Sequence, residues 1–183
     1  MRKGWIPALG MSGLLVAGAA LAGEEQTKKA APATQTMPAG KASATIEGRS
    51  GSSLTGTAEF MVHGGQMMVT VSVKGATPGV HAVHIHEKGD CSAPDATSAG
   101  AHFNPGGHQH GSPDSKERHA GDFGNMTVAA DGTGSLMVHT DMLTMEGPNS
   151  VVGRAIIIHE KEDDFVTQPT GNAGGRIGCG VIK

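Results

Sequence analysis

The sequence predicts an all-β domain, either a sandwich or a flattened barrel of about eight strands. Glycine accounts for 29 of the 183 residues without a regular G-X-Y repeat, and each interior glycine would destabilise a helix by about 1 kcal/mol. Apolar and polar residues alternate with a period of two in several segments, which is typical of half-buried strands. No stretch of more than roughly ten residues has a convincing helical period.

The strands are predicted where this alternation is clearest. Val69, Val71 and Val73 alternate with polar residues, and Gly64-Gly65 precedes them as a two-residue hairpin turn. Asp131-Gly132 is predicted to form the same kind of turn between two later strands. The predicted strands cover residues 44–49, 57–62, 69–74, 80–87, 126–130, 135–139, 152–159 and 177–182.

Residues 1–22 are predicted to be a cleaved signal peptide. Arg2 and Lys3 give a positive start, residues 8–22 are apolar, and Ala20-Leu21-Ala22 fits an A-x-A cleavage site. The apolar stretch is shorter than the roughly 20 residues of a spanning helix, which disfavours a retained membrane anchor. The chain is therefore expected to be exported, with no stable membrane insertion after cleavage.

Residues 23–43 contain no Val, Ile, Leu or aromatic residue, and they are predicted to be a flexible linker. The compact domain is then expected at residues 44–183. The formal charge of -3, with 4 Phe, 1 Trp and no Tyr, offers neither a basic surface nor many rings for base stacking. Nucleic acid is therefore excluded as an expected partner.

Ten histidines are the unusual feature of the composition. His84 and His86 lie two residues apart on a predicted strand, so their side chains point to the same face. His159 follows the apolar run Ile156-Ile157-Ile158 and is placed to supply a third ligand. This arrangement indicates one metal held by residues of two strands.

Two long segments, residues 89–124 and 160–175, interrupt the predicted strands. Loops of this length in a compact domain are usually functional or disordered. In the first segment, His110, His119 and Asp122 form a set of nitrogen ligands with one carboxylate, which suits tetrahedral Zn²⁺. Because export leads to an oxidising compartment, the only two cysteines, Cys91 and Cys179, are expected to form a disulfide.

Five segments carry the motifs of a known family: HIHEKGDC (84–91), SAGAHFNP (98–105), ERHAGDFGN (117–125), VVGRAIIIHEKEDD (151–164) and GNAGGRIGCGVI (171–182). Through them the chain resembles the copper-zinc superoxide dismutases, specifically their exported bacterial branch. The resemblance extends over essentially all of residues 44–183. It implies an eight-stranded Greek-key sandwich or flattened barrel with two long functional loops, and location in the periplasm.

The resemblance also implies one copper and one zinc ion per subunit. The implied copper ligands are His84, His86, His102 and His159, and the implied zinc ligands are His102, His110, His119 and Asp122. His102 would thus bridge the two metals. The resemblance further places Arg176 beside the open copper position, and Asp163 as the acceptor of hydrogen bonds from His84 and His110.

The implied activity is the dismutation of superoxide to O₂ and H₂O₂, with copper alternating between Cu(II) and Cu(I) and zinc in a structural role. A periplasmic copper or zinc carrier with the same fold is the main alternative, and the presence of His102 and Arg176 disfavours it. A zinc hydrolase is disfavoured because four protein ligands would close the zinc position. The sequence is compatible with a monomer or a homodimer.

One assignment within the long segment depends on spacing, because His108 and His110 could both fill the same zinc position. His110 is favoured because it lies eight residues after His102 and nine before His119, which is the spacing of the family. Two other histidines match no ligand position and are interpreted as surface residues or adventitious metal binders: His63 and His139.

Overall fold

The computed structural model describes residues 40–183, and in this range the chain forms eight strands and one short 3₁₀ turn at Thr97–Ala99. The strands are β1 (Lys41–Gly48), β2 (Thr55–His63), β3 (Gln66–Lys74), β4 (Gly79–His86), β5 (Asp122–Val128), β6 (Gly134–Thr140), β7 (Ala155–His159) and β8 (Arg176–Val181). The predicted signal peptide and residues 23–39 of the predicted linker lie outside the described residues. Residues 40–183 contain no helix that is long and apolar enough to cross a membrane.

The strands close into one antiparallel barrel in the order β1-β2-β3-β6-β5-β4-β7-β8, with β8 pairing back onto β1. Consecutive strands are neighbours except where the chain crosses over from β3 to β4 and from β6 to β7. As a result, β3 lies beside β6 rather than beside β4, which is a Greek-key arrangement. The predicted eight-stranded all-β fold is confirmed.

The period of two in the sequence determines which side chains enter the barrel. Val69, Val71 and Val73 of β3 are buried in the core, while the residues between them face outward. On β4 and β7 both faces are buried, because the two long loops cover the outside of these strands. Ile156 and Ile158 therefore fill the barrel, and the residues that alternate with them meet the loops.

The two predicted hairpin turns have different outcomes. Gly64 and Gly65 have positive φ values of 59° and 83°, and His63 pairs with Gln66, so this two-residue turn is confirmed. The predicted two-residue turn at Asp131-Gly132 is wrong, because Ala129 N donates to Thr133 O and the loop is longer. The Asp131 carboxylate accepts hydrogen bonds from Thr133 N at 2.9 Å and Thr133 Oγ1 at 2.7 Å, which stabilises the wider turn.

The strand boundaries also differ from the prediction, and the differences in β1, β5 and β7 have identifiable causes. β1 begins at Lys41, three residues before the predicted start of the domain, because small residues such as Ala42 pair and pack there without a strong apolar pattern. β5 begins at Asp122 rather than at residue 126, since Gly124, with a φ of +82°, interrupts the alternation. β7 begins at Ala155 rather than at residue 152, because a turn precedes it.

Residues 87–121 and 160–175 form the two long loops between strands, close to the segments expected from the sequence. The first loop is tied to β8 by the Cys91–Cys179 disulfide, which joins Cα atoms 5.8 Å apart and confirms the predicted pairing. A small apolar cluster lies beneath it: Ala96, Ala99, Ala155, Ile157 and Cys179. The loop is therefore packed against the outer wall of the barrel, where the histidines lie.

Candidate metal centre

Four buried histidines converge on the outer face of β4 and β7: His84, His86, His102 and His159. One ring nitrogen from each lies within 4.8 Å of those of the other three. β4 supplies His84 and His86, the end of β7 supplies His159, and the first long loop supplies His102 through a bridge to His86. All four are at most 5% exposed. The structure thus brings together the four residues that the resemblance implicates in copper binding, and we call them the strand group.

Hydrogen bonds determine which nitrogen of each ring is available. His84 Nε2 donates to Asp163 Oδ2 at 2.8 Å, and His86 Nδ1 donates to Gly100 O at 2.9 Å. The remaining nitrogens are His84 Nδ1, His86 Nε2, His102 Nε2 and His159 Nε2, which are buried without a hydrogen-bond partner among residues 40–183. Since buried polar atoms are normally paired, four such nitrogens close together fit a metal ion with imidazole ligands.

A second set of donor atoms surrounds the Asp122 carboxylate. Asp122 Oδ1 lies 3.1 Å from His102 Nδ1 and 3.3 Å from His119 Nδ1, and Asp122 Oδ2 lies 3.1 Å from His110 Nδ1. Zinc bonds of 2.0–2.1 Å in a tetrahedron give ligand separations of roughly 3.3 Å. The spacing of these three nitrogens and one carboxylate therefore suits zinc, and we call these residues the loop group.

Distance alone leaves one ambiguity in the loop group. One ligand atom each from His84, His102, His110 and Asp122 lies within 4.8 Å of those of the other three, and His119 is not part of this cluster. We assign His119 to the loop group because its Nδ1 lies 3.3 Å from both His102 Nδ1 and Asp122 Oδ1. His84 is assigned to the strand group because its Nε2 is already bonded to Asp163 and its Nδ1 is the free atom.

His102 is the residue that the two groups share. Its Nδ1 faces the Asp122 carboxylate of the loop group, and its Nε2 is one of the unpaired nitrogens of the strand group. An imidazole ring that has lost its proton can bind one metal at each nitrogen. The position of His102 is therefore suitable for a bridge between two metals.

Asp163 connects the two groups by a second route. Its Oδ2 accepts from His84 Nε2 and its Oδ1 from His110 Nε2, both at 2.8 Å. The Asn125 side chain fixes the backbone of this aspartate, since Asp163 N donates to Asn125 Oδ1 at 2.7 Å and Asn125 Nδ2 donates to Asp163 O at 3.0 Å. Gly171 passes so close that a side chain there would collide with the Asp163 carboxylate. The contacts of Asp163 with the two histidines were expected from the family resemblance, but these supports were not.

Arg176 lies beside the strand group and is held by two backbone carbonyls. Its guanidinium donates to Ala96 O at 2.7 Å and to Gly100 O at 2.8 Å. Gly100 O also accepts from His86 Nδ1, so one carbonyl orients both the arginine and a histidine of the strand group. Gly100 has φ +76° and ψ -150°, a backbone conformation that is essentially restricted to glycine.

The two groups differ in their charge. Burial, together with the neighbouring His102 ring, lowers the pKa of His86 to about 2, and burial lowers the pKa of His102 to about 4. Burial opposes protonation of His110 as well, but hydrogen bonds to Asp122 and Asp163 prevail and raise its pKa to about 9. His86 and His102 of the strand group are therefore neutral at neutral pH, whereas His110 carries a proton that zinc would displace.

Several contacts around the centre were not predicted from the sequence. The Gln168 side chain forms hydrogen bonds to both backbone groups of His110. Its Oε1 accepts from His110 N at 2.9 Å, and its Nε2 donates to His110 O at 2.8 Å. His81 is buried, with its ring nitrogens 2.8 Å from His159 O and Thr77 O. The extra histidine in the motif HAVHIH was a signal for His81, but no sequence pattern indicated Gln168.

His108 lies outside both groups. Its Nδ1 is 2.7 Å from Glu117 Oε2, and its side chain is partly exposed. His110, in contrast, contacts the Asp122 carboxylate and is completely buried. His110, which was favoured over His108 because of its spacing, is therefore the histidine that lies in the loop group.

Comparison with known proteins adds independent evidence. Residues 54–182 match the family model of copper/zinc superoxide dismutase (SODC). A crystal structure of the clock protein EA4 is 37% identical to the chain, with a TM-score of 0.70, and the alignment covers 78% of this chain and 93% of that one. The family match includes both donor groups and the disulfide. The chain belongs to the copper/zinc superoxide dismutase family.

Proposed function

We propose that the protein converts two superoxide anions and two protons into O₂ and H₂O₂. The observation that carries this proposal is His102, which belongs to a group suited to copper and to a group suited to zinc. The strand group would hold one copper ion and the loop group one zinc ion per chain. A bound copper ion would supply the one-electron cycle between Cu(II) and Cu(I) that this reaction needs.

Arg176 is the residue proposed to bind the substrate. Its guanidinium is fixed by Ala96 O and Gly100 O, so its position is determined before any anion arrives. Burial lowers the pKa of Arg176, but a guanidinium in a protein stays charged at neutral pH. The remaining donors of its planar fork can hold a small anion by charge and hydrogen bonds.

His102 is proposed to carry one of the two protons. Its Nε2, buried without a partner among residues 40–183, is the nitrogen that would bind copper, so it could take up a proton only while that bond is broken and would release the proton when the bond reforms. The loop group would hold the ring in place through Nδ1, while hydrogen bonds from Gly111 N and His119 N to Asp122 Oδ2 hold the carboxylate of that group. The second proton comes from solvent in this proposal.

We also propose that the protein acts in the periplasm after removal of residues 1–22. The sequence of those residues and the disulfide, which is typical of an oxidising compartment, support this location. The Cys91–Cys179 bond joins the loop that carries Ala96 and Gly100 to the strand that begins at Arg176. Formation of the disulfide would therefore also hold the substrate-binding arginine in position.

A measurement of superoxide decay in a cell-free assay tests the proposed function. The copper- and zinc-loaded protein is expected to accelerate the decay, removal of copper should abolish the acceleration, and added copper should restore it. A protein loaded with zinc alone serves as the matched control. Stoichiometric copper binding without faster decay would contradict catalysis and favour the copper-carrier alternative.

A further inference from the structure

The wall of the barrel opposite the metal centre carries three metal-binding side chains in one row. Met61 of β2 pairs with Met68 of β3, and Met68 pairs in turn with His139 of β6. In the order of strands around the barrel, β3 is four positions from β7, which supplies His159 to the strand group. This row is therefore separate from the histidine centre, and we call it the Met–His row.

The side chains of this row point away from the core. The adjacent row of Phe60, Val69 and Val138 packs into the barrel, and neighbouring positions along a strand face opposite sides. The next outward-facing row, two pairs further along the same strands, consists of Glu59, Thr70 and Met137. Met61 and Met68 are only partly exposed, whereas His139 is exposed. The Met–His row is therefore accessible to an ion from solvent.

The pairing brings two thioether sulfurs and one imidazole within reach of a single ion. Directly opposed residues in an antiparallel sheet have Cβ atoms about 4.5–5.5 Å apart, and Met68 is the central member of the row. Thioether sulfur is a soft ligand that selects Cu(I), and imidazole also binds copper. Two charged residues adjoin the row: Lys41 lies opposite Met61 on β1, and Glu59 lies two residues before Met61 on the same face, and both side chains are exposed.

We propose that Met61, Met68 and His139 form a surface site for Cu(I), distinct from the copper and zinc positions of the histidine centre. The pairing register is the observation that carries this proposal, because a shift by one residue would turn all three side chains to the other face. The site gives His139 a specific role. It does not depend on dismutase activity.

Anaerobic titration with Cu(I) in competition with a chromophoric Cu(I) chelator tests the site. The protein should be loaded with copper and zinc and then reduced, so that the histidine centre is filled and cannot accept the added ion. We expect one additional Cu(I) per chain. Its X-ray absorption spectrum should contain sulfur neighbours, which the histidine centre cannot supply.

Substitutions distinguish this site from weak surface binding. Met61→Leu with Met68→Leu, and separately His139→Gln, should weaken the additional Cu(I) by at least tenfold. Met142→Leu is the matched control, since Met142 follows β6 but packs against the core, and it should change the affinity less than twofold. Leucine replaces methionine with little change in volume, so the variants should remain folded and should keep the parent's rate of superoxide decay.

Two results would overturn the proposal. One is that no additional Cu(I) binds, even at chelator concentrations low enough for a site of micromolar affinity to be filled. The other is an additional Cu(I) that the methionines do not bind. This would be shown by equal affinity in the double methionine variant and the parent, or by a spectrum with only nitrogen and oxygen neighbours. Neither result would affect the proposed dismutase function, which is measured by superoxide decay.

Discussion

The strand group and the loop group meet at His102 but are built in different ways. Three of the four histidines of the strand group lie on β4 and β7, in the wall of a closed barrel. In the loop group, by contrast, His110 and His119 lie in the long loop 87–121, and Asp122 is the first residue of β5. The backbone hydrogen bonds of the barrel thus position the first set, whereas side-chain bonds between loops position the second.

This difference affects how each group meets its metal. His86, His102 and His159 of the strand group are neutral at neutral pH, so these three rings need not lose a proton before an ion binds to their unpaired nitrogens. The loop group is held together by the Asp122 and Asp163 carboxylates, and His110 keeps an extra proton between them. We therefore expect zinc binding to be more sensitive than copper binding to changes in residues that support the ligands.

The largest expected effect is that of His102→Ala, which removes the shared ligand. Copper and zinc affinity should both fall, each by more than the roughly 10–100-fold loss typical of removing a residue that only supports a ligand. His84→Ala is the matched variant, and it should lower copper affinity while zinc affinity stays close to that of the parent. Competition with metal chelators gives both affinities.

The same pair of variants tests the assignment of His84. If His84 rather than His119 were the fourth ligand of the loop group, His84→Ala would lower zinc affinity strongly. If His102→Ala lost only one metal, the bridge between the groups would be contradicted.

The second prediction concerns the disulfide, which ties the first long loop to the barrel. Replacing Cys91 and Cys179 by Ser should lower the free energy of unfolding by up to roughly 4–5 kcal/mol for a loop of 88 residues in the chain-entropy model. Superoxide decay should slow more than copper content falls, because Ala96 O and Gly100 O would no longer hold Arg176. Denaturant unfolding and metal analysis give both quantities, and an unchanged unfolding midpoint would contradict the expectation.

The sequence predicted the strand group more completely than its surroundings, for a physical reason. Alternation along β4 places His84 and His86 on one face regardless of the rest of the fold, so a local pattern was sufficient. The start of β5 was missed because Gly124 breaks the alternation just where Asp122 enters the site. Gln168 was missed because its partner His110 is 58 residues away and an amide has no spacing rule that indicates such a contact.

The third prediction tests the link through Asp163. Asp163→Asn retains one carbonyl oxygen, but it cannot accept hydrogen bonds from His84 and His110 at the same time. Zinc affinity should fall about 10–100-fold, and copper affinity should fall much less, since the strands still position His84 and its neighbours. Chelator competition at matched pH measures both losses.

Asp164→Asn is the control for this variant. Asp164 is exposed and accepts hydrogen bonds from Val166 N and Thr167 N through Oδ1, an atom that asparagine retains. Both metal affinities should therefore remain close to those of the parent. Equal zinc affinity in Asp163→Asn and the parent would contradict the role of Asp163 and, with it, the dependence of the loop group on its supports.

The smallest expected effect is that of Gln168→Ala, which removes two hydrogen bonds to the backbone of His110. The two hydrogen bonds join the second long loop to the first, but Gln168 itself is exposed, so water replaces part of the lost interaction. A net loss of about 1 kcal/mol corresponds to roughly a fivefold loss of zinc affinity. Copper affinity should not change, because none of the strand-borne ligands contacts this amide.

Two further variants serve as comparisons for Gln168→Ala. Gln168→Glu keeps an oxygen for His110 N but cannot donate to His110 O, so its zinc affinity should not exceed that of the parent. Gln66→Ala removes an exposed glutamine from the hairpin between β2 and β3, far from the loops, and should leave both affinities unchanged. If Gln168→Ala weakened copper binding as much as zinc binding, its two hydrogen bonds would support both groups. The expected difference in sensitivity between the strand group and the loop group would then be contradicted.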